Sequence, residues 1–120
     1  MGRRVLVIDD HPSFRRFATR LLEAGGFDVV GEAEDGRAGL AAARRLQPDV
    51  VLLDVLLPDT NGFALAQALA NGSPAPKVVL VSSRSAGEVA SGLERSCAQG
   101  FISKAELTAA ALAAVVDAGA

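Results

Sequence analysis

Short apolar runs recur along the chain at Arg4 to Ile8, Asp28 to Gly31, Val50 to Leu53, Lys77 to Val81 and Phe101 to Ile102, and helical patterns fill the intervals. The order reads strand then helix, five times over. In the first helix Pro12 suits the opening turn. Phe14, Phe17, Ala18, Leu21 and Leu22 follow the spacing of one buried stripe, and Gly25-Gly26 ends it. A second helix is predicted from Gly36 to Leu46 and a third from Gly62 to Ala70. A fifth runs from Glu106 to Asp117, with Leu107, Ala111, Leu112 and Val115 inward. The fourth, Ala86 to Ala98, has an apolar stripe of Val89, Leu93 and Cys97 but carries Gly87 and Gly92. An interior glycine costs about 1 kcal/mol relative to alanine, so this helix is expected to be the least stable.

Strands that are apolar throughout, rather than alternating, are buried on both faces, and strand-helix-strand units of this length cross over right-handedly onto a parallel sheet. The predicted architecture is a three-layer α/β sandwich. In such sheets the working site lies beyond the carboxyl ends of the strands.

At 120 residues, half of them hydrophobic and 22% charged, the chain reads as one globular domain over residues 1 to 120. A formal net charge of −2 offers no basic field for nucleic acid or anionic lipid, so neither is expected as a partner of this chain. The single Cys97 cannot form an internal disulfide, which points to a reducing compartment, and its expected role is a small core residue. The run Val5 to Ile8 stops at Asp9-Asp10 and is too short for an export signal. No segment approaches the roughly 20 apolar residues of a membrane span. A cytoplasmic location is the expectation.

The strand ends carry the polar chemistry. Strand one ends in Asp9-Asp10, strand three in Asp54 and strand four in Ser82-Ser83, and Lys104 follows strand five. Carboxylates crowded at one edge repel by on the order of 4 kcal/mol for a pair about 4 Å apart at an effective dielectric of 20. Lys104 balances one negative charge. A hard divalent cation with oxygen ligands would take up the rest, and Mg²⁺ fits that description best. Such an ion also neutralises charge on an incoming phosphoryl group, with Asp54 as the nucleophile that forms an acyl phosphate. Taken singly, each residue has a plainer reading: a turn or cap for each Asp, a helix cap for Ser82, a solvated charge for Lys104. Their collection at the ends of four strands is what those readings leave unexplained.

These motifs together resemble the receiver domain of bacterial two-component response regulators over nearly the whole chain. The family pattern has an acidic pair after strand one, here Asp9-Asp10. A phospho-accepting Asp is followed four residues later by Pro and then by Gly, here Asp54, Pro58 and Gly62 in Asp54-Val55-Leu56-Leu57-Pro58-Asp59-Thr60-Asn61-Gly62. Ser or Thr follows strand four, here Ser82, and an aromatic stands three residues before the closing Lys, here Phe101 and Lys104. The resemblance implies a flavodoxin-like five-stranded sheet in order 2-1-3-4-5 with five helices, an order exemplified by the chemotaxis member of the family. It implies Mg²⁺ coordinated by Asp10, Asp54 and the backbone carbonyl of Leu56, with Asp9 acting mostly through water. The donor it implies is a phosphohistidine on a sensor histidine kinase or phosphotransfer protein.

Ser82 and Lys104 would then bind phosphoryl oxygens while Phe101 turns toward the vacated space, switching the surface formed by helix four, strand five and helix five. That surface would control an output domain or partner, or a phosphorylation-dependent homodimer. The domain would catalyse only its own phosphorylation and dephosphorylation. His11 after the acidic pair is similar to receivers that precede helix-turn-helix output domains and regulate transcription, and a place on the solvent-exposed rim is expected for it. Arg15, Arg16 and Arg20 present either a docking surface for an acidic kinase or a solvated helical face. Ala105 stands where many receivers place Pro, and no cis bond is assigned there.

Two other readings compete. A phosphatase or phosphotransferase of the haloacid-dehalogenase type also uses an Asp nucleophile with Mg²⁺, but it wants a second Asp two residues on, where this chain has Leu56. A phosphate-independent interaction module of the same fold would be favoured by loss of Asp10, Asp54 or Lys104, and all three are present.

Overall fold

The computed structural model describes residues 3–83 and 97–118. Five strands, β1 (Arg4–Ile8), β2 (Asp28–Ala33), β3 (Val50–Asp54), β4 (Lys77–Ser82) and β5 (Gly100–Ser103), form one parallel sheet in the order β2-β1-β3-β4-β5. Four α-helices lie among the described residues: α1 (Pro12–Ala24), α2 (Gly36–Leu46), α3 (Gly62–Ala70) and α4 (Ala109–Ala118). The α4 element is the fifth helix of the sequence reading. The expected fourth helix, Ala86 to Ala98, falls almost wholly outside the described residues.

Successive side chains of a strand point to opposite faces, and the core divides accordingly. Val5 and Val7 of β1 join Val50, Leu52, Val79 and Val81 beneath Ala18 and Leu22 of α1 and Leu112 and Val116 of α4. Leu6 and Ile8 join Val51, Leu53 and Leu80 beneath Ala42 and Ala43 of α2 and Leu65, Ala66 and Leu69 of α3. Strands β1, β3 and β4 are covered on both faces, which is why their sequences lack alternation. Strand β2 departs from that expectation. It runs on to Ala33 and is only partly buried, because it is an edge strand with one neighbour.

Helices α2 and α3 keep the predicted bounds, each started by a side-chain cap. Asp35 Oδ1 accepts from the Ala38 amide at 2.7 Å, and Asn61 Oδ1 from the Ala64 amide at 2.8 Å. Four local expectations are corrected. Phe17 is 52% exposed rather than inward, since Ala18 and Leu22 fill the contact with the sheet. The last helix begins at Ala109 rather than Glu106, because Lys104–Glu106 forms a 3₁₀ turn and Thr108 caps the helix, its Oγ1 accepting from the Ala111 amide at 2.9 Å. Leu107 is buried in the connection, and Val116 rather than Val115 takes the fully buried position. Cys97 is exposed, not core, with Sγ donating to Gln67 Oε1 of α3 at 3.0 Å.

Candidate functional site

Because the strands are parallel, their carboxyl ends share one edge of the sheet, and strand order reverses there between β1 and β3. Asp9 follows β1 directly, Asp54 is the last residue of β3, Ser82 the last of β4, and Lys104 follows β5. The structure therefore brings Asp9, Asp10, Asp54, Ser82 and Lys104 to one edge. Register places Ser82 beside Ser103.

Asp9 is fully buried and Asp54 is 4% exposed. Asp9 Oδ1 accepts from the His11 amide at 2.8 Å. Its Oδ2 lies 2.7 Å from Lys104 Nζ, an ion pair by distance that lacks the angles of a hydrogen bond, and this buried oxygen has no hydrogen-bond partner. Lys104 Nζ donates to Asp54 Oδ2 at 3.2 Å, and the Leu56 amide donates to Asp54 Oδ1 at the same distance. One ammonium thus spans the acids of β1 and β3. Burial, and then the Asp9 carboxylate, hold the Asp54 carboxyl above the usual carboxylate range; the Leu56 amide and Lys104 pull the other way.

Asp10 points outward, its side chain 36% exposed, with Oδ1 3.1 Å from His11 Nδ1. His11 lies on the exposed rim, as expected, and its Nδ1 is also 3.0 Å from Asp9 Oδ1. Carboxylate oxygens of Asp9, Asp10 and Asp54 and a ring nitrogen of His11 all lie within 4.8 Å of one another, an arrangement that could hold a metal ion. The donor set fits a hard cation: three carboxylates against one ammonium, with one buried oxygen left without a hydrogen.

The loop after Asp54 is built around Gly62. A Cβ there would stand 2.6 Å from the Asp54 carbonyl oxygen and 2.9 Å from Val55 Cα, so only glycine lets α3 start this close to the end of β3. The Gly62 amide donates to the Val55 carbonyl, and the Leu57 amide to that of Thr60 at 3.1 Å. Leu56 is held at the rim, 54% exposed and bridged to Asn61. Phe101 is half-buried against the cluster under α2 and α3.

Three contacts escaped the sequence reading. The Asp59 carboxylate accepts from the Gly36 amide at 2.8 Å and the Arg37 amide at 3.0 Å, clamping the Asp54 loop to the first turn of α2. Those amides hold the Asp59 carboxyl below its usual range. Arg15 is not a free surface charge: its Nη1 donates to the Asp9 carbonyl at 2.5 Å and its Nε to Glu32 at 3.2 Å. The third is the ring of Phe14, over which Lys104 Nζ sits at 4.5 Å from the centroid. Apart from Arg15 with the Asp9 carbonyl, six residues apart, these contacts join residues distant in sequence, and no local spacing signals them.

The family model of the response regulator receiver domain matches residues 5–117, and the chain belongs to that family. Among curated relatives, the DNA-binding response regulator MtrA of Mycolicibacterium smegmatis is 42% identical over 96 residues, covering 78% of this chain and 41% of MtrA. The response regulator GacA of Pseudomonas viridiflava is 39% identical over 102 residues, covering 84% of this chain and 48% of GacA. The chain spans half or less of the length of the curated relatives it matches first. Among solved structures, the receiver domain of the response regulator NarL from Mycobacterium tuberculosis superposes with a TM-score of 0.84 at 36% identity, covering 98% of this chain and 95% of that one. The chemotaxis response regulator CheY4 of Vibrio cholerae gives 0.82 at 25% identity, covering 98% of each chain. A phospho-acceptor role in two-component signalling follows from the family, and a histidine kinase or phosphotransfer protein is the partner to expect. No helix among the described residues is long and apolar enough to cross a membrane.

Proposed function

We propose that this domain takes a phosphoryl group onto Asp54 from a phosphohistidine of a sensor kinase or phosphotransfer protein, in a reaction that requires Mg²⁺. The observation that carries the reading is the buried Asp54 carboxylate, shared between the Leu56 amide and the Lys104 ammonium and set beside Asp9. An Asp54 oxygen forms the new P–O bond as the P–N bond of the donor breaks, leaving an acyl phosphate. Asp9, Asp10, Asp54 and the Leu56 carbonyl would hold the ion, which when bound neutralises charge on the transferring group. Lys104 follows the charge from the carboxylate to the phosphoryl oxygens, and Ser82 at the end of β4 donates to another.

Drawing Ser82 toward the phosphoryl group repositions the segment after β4 and frees space for Phe101. The surface around β5, the preceding segment and α4 is then the output face, for a partner, an output domain such as a transcription regulator, or a second copy. Exposed Phe17, between Arg16 and Arg20 on α1, offers an acidic kinase surface an apolar anchor with flanking charges. In this reading the domain has no turnover beyond its own phosphorylation and dephosphorylation, and it works in the cytoplasm.

The test is incorporation from acetyl phosphate with and without Mg²⁺, followed by intact mass for the wild type and Asp54→Asn. One added phosphoryl group is expected, dependent on Mg²⁺ and absent in the variant. If the wild type is not labelled, the acceptor reading fails and a phosphate-independent interaction module takes its place.

A further inference from the structure

Lys104 follows β5, an edge of the sheet, yet its ammonium pairs with Asp9 at the end of β1, three strands away. That separation is roughly 14 Å at 4.8 Å per strand. A long side chain held only by its tip can be lost to solvent, and of its two ionic partners Asp54 changes charge in the proposed reaction while Asp9 would be shared with the metal ion. One further contact is indifferent to that change. Phe14, in the first turn of α1 and partly buried against the core under that helix, lies with its ring 4.5 Å from Lys104 Nζ. A second ring, Phe17, stands 6.3 Å from it in a tilted arrangement.

We infer that Phe14 is a positioning residue for Lys104: its π-face holds the ammonium over the Asp54 site whatever charge the acids carry. The inference rests on the acceptor reading for its consequence, but the contact itself does not. An ammonium attracted to a ring face keeps its hydrogens for anions on its other sides, so the ring does not compete with a phosphoryl oxygen. As Asp54 is converted to an acyl phosphate, the ring keeps Lys104 from following its stem into water.

The chain has two lysines, Lys77 and Lys104, so lysine-selective ¹³C labelling gives two ε-methylene signals, and Lys104→Met assigns them. In the wild type the Lys104 ε-protons are expected upfield through the ring current. Phe14→Tyr keeps that shift, and Phe14→Leu, which keeps apolar bulk without the ring, returns them to the position of free lysine. In labelling from acetyl phosphate, Phe14→Leu is expected to be slower by about threefold and Phe14→Tyr to keep the wild-type rate. Trifluorophenylalanine at position 14, close in size with a weakened π-face, should fall between.

A wild-type Lys104 signal at the free-lysine position overturns the inference, as does a trifluoro variant, or a folded Phe14→Leu variant, that labels at the wild-type rate. If the wild type takes no phosphoryl group at all, the acceptor reading is the one that fails. The ring-current shift and its loss in Phe14→Leu then decide the positioning by themselves.

Discussion

Replacing Asp54 by Asn should stabilise the metal-free protein, although it removes the group on which the proposed chemistry depends. The carboxylate oxygens of Asp9 and Asp10 lie within 4.8 Å of that of Asp54. At an effective dielectric of 20, repulsion at that distance is about 3.5 kcal/mol for a pair, less for Asp10, which solvent screens. Lys104 at 3.2 Å returns about 5 kcal/mol on the same scale, so the charges nearly cancel. Burial then tips the balance, as it is the leading reason the Asp54 carboxyl is held above its usual range.

The expected gain for Asp54→Asn is about 1–2 kcal/mol at pH 7 in a chelating buffer, or roughly 0.5–1 M in the urea midpoint. The chain has no Trp and no Tyr, so the assay is urea unfolding followed by far-ultraviolet circular dichroism. The sign with pH follows from linkage. A folded-state value raised above 3.8 means that the native state binds the Asp54 proton more tightly than the unfolded chain does. The wild type therefore regains ground as pH falls through the raised value, and the advantage of Asn vanishes below 3.8, where Asp54 is neutral in both states. Saturating Mg²⁺ should also narrow the gap, by binding the wild type more tightly. A variant no more stable than the wild type at pH 7 without metal would refute the reasoning and show that Lys104 outweighs both burial and the neighbouring acids.

Lys104→Met removes the cation shared by two buried acids. In metal-free buffer it should cost about 3–5 kcal/mol, and Mg²⁺ should restore a larger part of the loss than it adds to the wild type; equal effects of Mg²⁺ on the two proteins would argue against a shared site. Gly62→Ala places a methyl 2.6 Å from the Asp54 carbonyl oxygen and should destabilise by about 1–3 kcal/mol in the same urea assay, with an unchanged midpoint counting against the tight turn.

Much of the fold was legible because strands buried on both faces must be apolar throughout and helices that cover them must be apolar on one stripe. Helices α2 and α3 match their predicted bounds because caps, Asp35 and Asn61, sit next to the patterns they start. Phe17 and Cys97 were misplaced inward because a hydrophobic residue at helical spacing satisfies the pattern whether or not the opposing surface has room for it. The extent of β2 was misread because an edge position depends on neighbours far along the chain, whereas the start of α4 had a local signal, the Thr108 cap after the 3₁₀ turn, that the apolar pattern passed over.

The candidate site divides in the same way. The sequence by itself determined which residues reach the carboxyl edge, since Asp9, Asp54, Ser82 and Lys104 each stand at or just past the end of a strand, and a parallel sheet leaves such ends no other place to go. Only the tertiary structure decided how they divide the work. It buries Asp9 and leaves Asp10 at the rim, spans β1 and β3 with one ammonium, and sets that ammonium over the Phe14 ring. It also ties the Asp54 loop to α2 through Asp59 and the Asp9 carbonyl to β2 through Arg15. The physical reason is range. Alternation, capping and helical spacing act over a few residues and leave a local trace, whereas these contacts join residues brought together only when the sheet forms.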